Sequence, residues 1–198
     1  MPSSRKSRPL DRAVDCVRDA RLLVIATEGE KTEPRYFSIL RSTKLQVRTI
    51  ASEGGRSSPD HVLSNLERFS REFQIGEDDQ LWLAIDKDAW EERTLSNLAR
   101  EVQSRGWYLA LSNPCFELWL ALHLDAELPE PVDADTLTRH IRSIIGEYNK
   151  RNLNVDAFRG RIRQAEARAR ILDRVPQDRW PQDVATRVYQ ITEQFEHS

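Results

Sequence analysis

Two short apolar runs, Leu22 to Thr27 and Leu81 to Ile85, restrict the fold more than any other part of the chain. Neither has the polar alternation of a half-exposed strand, so both read as strands covered on two faces. Around them the apolar spacing is helical. Tyr36, Phe37 and Leu40 follow the first run, Val62, Leu63, Leu66, Phe69 and Phe73 precede the second, and Leu95, Leu98, Ala99 and Val102 come after it. Two more strands are expected at Gln46 to Ala51 and Trp107 to Leu111. This alternation predicts an α/β fold, a parallel sheet with helices on both faces.

Beyond Ser112 the pattern becomes helical only. Asn113-Pro114 reads as an N-cap and first-turn proline opening an apolar helix that runs to Leu124. Later apolar series at Leu137 to Tyr148, Val155 to Leu172 and Val184 to Phe195 predict further amphipathic helices. The expected organisation is a tail and first helix over 1–20, an α/β core over 21–125 and a helical portion over 126–198 packed on that core. With 198 residues and 39% apolar content, the chain suffices for one good core. No apolar run reaches membrane-spanning length, and no apolar segment follows the basic N-terminus, so neither membrane insertion nor secretion is expected. Cys16 and Cys115 have no CxxC partner, which argues against a zinc site or disulfide framework and for a reducing cytoplasm.

The net charge of −2 carries no global signature of a nucleic-acid binder. Its distribution is uneven. From Arg139 to Arg174 there are ten Lys or Arg against four acids, a segment able to face phosphates or simply to be a solvated helix surface.

In parallel α/β sheets, ligands bind beyond the carboxyl ends of the strands. Glu28 follows the first strand directly, and Gly29 after it permits a tight turn or close phosphate approach. Asp86 closes the third strand, with Asp88 two residues on, and carboxylates at that spacing can point the same way from an extended strand end. Together the three acids suit Mg²⁺ or Mn²⁺, which favour carboxylate and water ligands and promote attack of water on a phosphodiester. A D-x-D after a strand also serves as a turn or helix cap, so spacing alone leaves both readings open.

Three segments resemble the RloB-like family, which includes the second component of the AbiL abortive-infection system. They are Ile25 to Phe37 (IATEGEKTEPRYF), the strand ending in Asp86-x-Asp88, and Ser112 to His123 (SNPCFELWLALH). Tyr148-x-Lys150 and Thr186-x-Val188 add to the likeness, which runs nearly the whole length. The resemblance implies a Toprim-like core in which Glu28, Asp86 and Asp88 hold Mg²⁺. It also implies a role in bacterial antiphage defence beside an ATPase partner, and a nuclease activity by analogy with other Toprim effectors.

Other residues carry two readings each. Glu30 and Glu33 are near enough to assist a metal, although an acid in a first helical turn ordinarily complements the helix dipole, the reading favoured for Glu33. Lys31 can contact a phosphate, pair with Glu28 or be solvated. Glu117, inside an apolar helix, requires a partner, either a metal or a basic residue. His123 lies about 120° from Glu117 around that helix, so a buried, hydrogen-bonded histidine is favoured over a general base or substrate contact. Arg56 and Lys150 are further phosphate-binding candidates.

The function expected is a metal-dependent nuclease effector acting on nucleic acid, RNA such as tRNA before DNA, with a homo-oligomer compatible. The alternatives are a non-catalytic adaptor or sensor docking a defence ATPase, and nucleotidyl or phosphoryl transfer on the same metal site.

Overall fold

The computed structural model describes residues 20–40, 42–52, 58–87 and 90–195. Its centre is a five-stranded sheet built from β1 (Arg21–Thr27), β2 (Leu45–Ala51), β3 (Gln80–Asp86), β4 (Tyr108–Asn113) and β5 (Ala185–Thr186). The order is β2-β1-β3-β4-β5, parallel except for β5. The apolar runs recognised in the sequence form β1 and β3, side by side in the sheet with Ile25 opposite Trp82. Alternate β1 residues enter two separate cores, Leu23 and Ile25 on one face and Leu22, Val24 and Ala26 on the other. A strand covered on both faces cannot show polar alternation, which accounts for its unbroken apolar sequence.

The helices divide accordingly. α2 (Pro59–Glu72) and α3 (Glu92–Ser104) bury Leu66, Phe69, Leu95 and Leu98 against one face. On the other face lie α1 (Thr32–Phe37) and α4 (Phe116–Leu124), joined there by α5 (Ala134–Ile145), α6 (Asp156–Arg159), α7 (Ile162–Leu172) and α8 (Val188–Thr192). α4 is buried from Phe116 to His123, with Leu118, Trp119 and Leu120 inaccessible to solvent and Glu117 and His123 its only polar side chains. No helix among the described residues is long and apolar enough to cross a membrane.

Three details depart from the sequence expectations. The segment after Ser112 is not exclusively helical, because β5 adds antiparallel to β4, with Ser112 Oγ 2.8 Å from Thr186 Oγ1. Asn113 does not cap α4. It ends β4, its amide donates to the carbonyls of Gln182 and Asp183 at 2.8 Å each, the Asn113-Pro114 bond is cis, and the helix starts at Phe116. The series from Val155 to Leu172 is split at Gly160 into α6 and α7. The helix expected before residue 20, which carries Cys16, lies outside the described residues.

Candidate functional site

The chain leaves β1 for β2 on one side and returns through α2 to β3 on the other. The connections therefore diverge at the carboxyl ends of β1 and β3, the position where sheets of this order open a crevice. Glu28 and Asp86 sit on its two sides. They are held together by the backbone: Glu28 N–H donates to the Ala84 carbonyl at 3.3 Å, and Asp86 N–H donates to Glu28 Oε2 at 3.2 Å. The Trp90 indole N–H reaches both Glu28 oxygens, at 3.2 and 3.3 Å, and so fixes the rotation of that carboxylate.

The pocket holding these two acids has a volume of about 270 Å³ and includes Glu33, Glu117 and Lys150. Glu33 does stand in the first turn of α1, but its side chain folds back to accept the Gly29 N–H at 2.9 Å. A Cβ at Gly29 would meet the Glu33 carboxylate, so the glycine leaves room for that return. Burial pushes the pKa of Glu33 up, outweighing the hydrogen bonds that stabilise its charge, with Glu117 adding to the rise. The dipole role favoured from sequence is thus incomplete: Glu33 is a buried member of the acidic pocket.

Glu117 has the basic partner that its burial demanded. Lys150 Nζ lies 2.6 Å from Glu117 Oε1, and the Tyr148 hydroxyl donates to the same oxygen at 3.1 Å. Burial opposes the charge on Lys150, but the bond to Glu117 outweighs it and raises the lysine pKa. The segment carrying Tyr148 and Lys150 is strapped onto α1, since Thr32 Oγ1 donates to the Lys150 carbonyl at 2.9 Å and Arg35 Nε to that of Leu153 at 2.7 Å. The neighbouring Cys115 thiol is pushed above its ordinary pKa by burial and is thus not a poised nucleophile.

Not every expected residue joins this pocket. Lys31 is exposed at the start of α1. His123 is buried elsewhere, its Nδ1 2.9 Å from the Trp119 carbonyl and its Nε2 3.1 Å from the Tyr36 hydroxyl, so it is a core histidine rather than a substrate contact. Asp88 and Arg56 lie outside the described residues. The arginine-rich segment does not act as one surface. Arg142, Lys150 and Arg151 line a shallow groove adjoining the acidic pocket, whereas Arg168 donates to the Leu122 carbonyl and Arg170 pairs with Glu193.

Trp90 was missed from sequence, and its only signal was an indole donor close behind the D-x-D. As for a metal, the donor set consists of carboxylate oxygens, the ligands that Mg²⁺ and Mn²⁺ prefer, and among the described residues four acids and one lysine line the pocket. Among the described residues, no three acid, histidine or cysteine side chains already converge into a metal cluster. The residues fit the group in chemistry, and Glu28 and Asp86 are the acids at the crevice that could serve it.

Fold and site together define an α/β protein with an acidic crevice at the switch point of a mostly parallel sheet. The RloB-like protein family model matches residues 23–195, and the chain belongs to that family. No curated protein and no solved structure matches it.

Proposed function

We propose that this chain is a divalent-metal-dependent nuclease effector of a bacterial antiphage system of abortive-infection type, acting in the cytoplasm on RNA such as tRNA and controlled by an ATPase partner. The observation that carries the reading is the juxtaposition of Glu28 and Asp86 at the β1/β3 crevice, beside a lysine that opens onto a basic groove. A Toprim-like assignment of the core agrees with that placement of acids. Family membership supports the defence context.

Glu28, Asp86 and Asp88 would hold Mg²⁺ or Mn²⁺, which when bound supplies charge neutralisation and a more acidic water at neutral pH. The chain's own residues do the rest. Trp90 holds the Glu28 carboxylate in one orientation. Lys150 belongs to both the acidic pocket and the groove with Arg142 and Arg151, so a phosphate arriving along the groove would compete with Glu117 for its ammonium. Released from that pair, Glu117 is a carboxylate close to the reacting region, able to take a proton.

The test is cleavage of RNA and DNA by the purified chain in Mg²⁺ or Mn²⁺, with calorimetric titration of the same ions. Glu28→Gln and Asp86→Asn are each expected to lower cleavage by about a hundredfold or more and to weaken ion binding. Cleavage unchanged in both variants would sink the assignment. Absence of ion binding would favour the adaptor that docks an ATPase, and products extended from nucleoside triphosphates would favour nucleotidyl transfer.

A further inference from the structure

The opposite face of the sheet carries a second, larger groove, of about 750 Å³, between β2 and α2. β2 is an edge strand, and among the described residues no strand pairs with its outer side, so the groove is open along its length. Arg48 projects from β2 and Arg68 from α2, both exposed, while His61 and the buried Asn65 line the wall between them. Asn65 Oδ1 accepts from the Arg68 guanidinium at 3.1 Å, which fixes that group at the groove wall while using only part of its fork. Ile50 and Phe73 supply an apolar side. Among the described residues the lining has one acid, Glu72, in the last turn of α2, one turn beyond Arg68 and away from the end where His61 lies.

The groove is not remote from the acidic crevice. Ala51 pairs with Thr27, and Ser52 bonds to the Thr27 carbonyl through both its N–H (3.2 Å) and its hydroxyl (3.0 Å). The groove thus ends one strand away from Glu28, at the same carboxyl edge. Two arginines, an imidazole and an apolar wall are what a single-stranded phosphodiester chain needs: guanidinium forks for phosphates and a flat surface for a base.

We propose that the β2/α2 groove is a subsite for single-stranded nucleic acid, in which Arg48 and Arg68 grip backbone phosphates and lead the strand across the sheet edge toward Glu28. This rests on the nucleic-acid reading above, but binding and cleavage separate the two. The probe is a fluorescein-labelled oligouridylate of about 12 nucleotides, followed by anisotropy in EDTA over a series of salt concentrations. Replacing both arginines (R48A with R68A) is expected to weaken binding about tenfold and to lower the slope of log K against log salt by about 1.4, two single-strand phosphate contacts. R48K with R68K should keep the wild-type slope. Both side chains are exposed, so melting should fall by no more than a few degrees in the alanine variant, the loss of the Arg68–Asn65 hydrogen bond, and binding is compared on folded protein.

Affinity and slope unaltered by the alanines would overturn the subsite, as would failure of the wild-type chain to bind. An Asp/Glu-rich peptide competing as well as the oligonucleotide would overturn it in favour of a protein partner. Cleavage that depends on Glu28 but not on the arginines removes the subsite and leaves the nuclease. Arginine-dependent binding without any cleavage does the reverse.

Discussion

Two polar clusters, one in the C-terminal portion and one at the crevice, differ in one respect that decides what each is for. In the C-terminal portion, Asp173 faces Arg187 with Nε–Oδ2 at 3.0 Å and accepts the Tyr189 hydroxyl at 3.0 Å. Arg187 spends its remaining donors on the carbonyls of Asp178 and Val175. One acid meets one base, and both side chains are almost wholly enclosed. At the crevice, by contrast, Glu28, Glu33, Asp86 and Glu117 line a pocket with room for a ligand, and Lys150 pairs with Glu117. The closed cluster is complete and fixes the loop before β5. Among the described residues the open one brings four acids and one lysine to a solvent-accessible pocket, an arrangement met at cation-binding and catalytic sites.

If that contrast is correct, the two clusters respond oppositely to losing a charge. Arg187→Ala leaves Asp173 buried without its counterion and should cost about 3–5 kcal/mol. In a chain of this size that lowers Tm by roughly 10 °C. Glu28→Gln keeps the side chain's shape and an oxygen to accept the Trp90 N–H, and should leave Tm within a few degrees of wild type, on the order of 1 kcal/mol or less. Thermal unfolding of both variants checks the pair, and a loss at Glu28→Gln as large as that at Arg187→Ala would break the comparison.

His123 gives a pH-dependent version of the same distinction. Burial lowers its pKa from 6.5 to about 4, while the bond to the Trp119 carbonyl works the other way. The carbonyl can only accept, so Nδ1 carries the proton and Nε2 accepts from Tyr36. The unfolded chain binds a proton near pH 6.5 and the folded chain does not until about pH 4. Stability from this group is therefore complete above pH 6.5, falls as pH drops toward 4 and is level below that, a loss on the order of 3 kcal/mol. Urea unfolding across this range should show a shallower decline in His123→Gln than in wild type, and identical slopes would remove His123 from the account.

The sequence made the sheet legible because β1 and β3 are buried on both faces and so are written in unbroken apolar residues. It drew attention to Glu28 and Asp86 because each closes such a strand at the edge where ligands bind in parallel sheets, while a turn or cap role stayed equally open from spacing. What escaped was non-local. Ala185 and Thr186 form a strand only because Ser112 and Asn113 are there to pair with, and two residues have no period of their own. Asn113 looked like a cap because Asn-Pro before an apolar helix satisfies local rules, while its amide serves a loop some seventy positions away. The arginine-rich segment looked uniform since charge counting cannot separate Arg168, spent on a core carbonyl, from Arg151, which faces a groove. Glu33 is the intermediate case: its dipole position was readable, but its return to Gly29 depends on the turn after β1.

That turn permits the finest test of how adaptable the open cluster is. Adding a methyl at Gly29 forces the Glu33 carboxylate aside and breaks its bond to the Gly29 N–H. The obstructing atoms are the far end of a side chain rather than backbone, so the pocket can give, and Gly29→Ala should cost only about 1 kcal/mol, the value of the hydrogen bond. Glu33→Ala removes the same bond and vacates the space. The two losses are one event counted twice, so the double variant should be less destabilised than the sum of the singles by about 1 kcal/mol. Strict additivity in a double-mutant cycle would mean that Gly29 is held by something other than Glu33. A coupling of the expected sign would mean that the acid in the first turn of α1 is positioned by the glycine after Glu28, tying the shape of the pocket to the strand end that defines it.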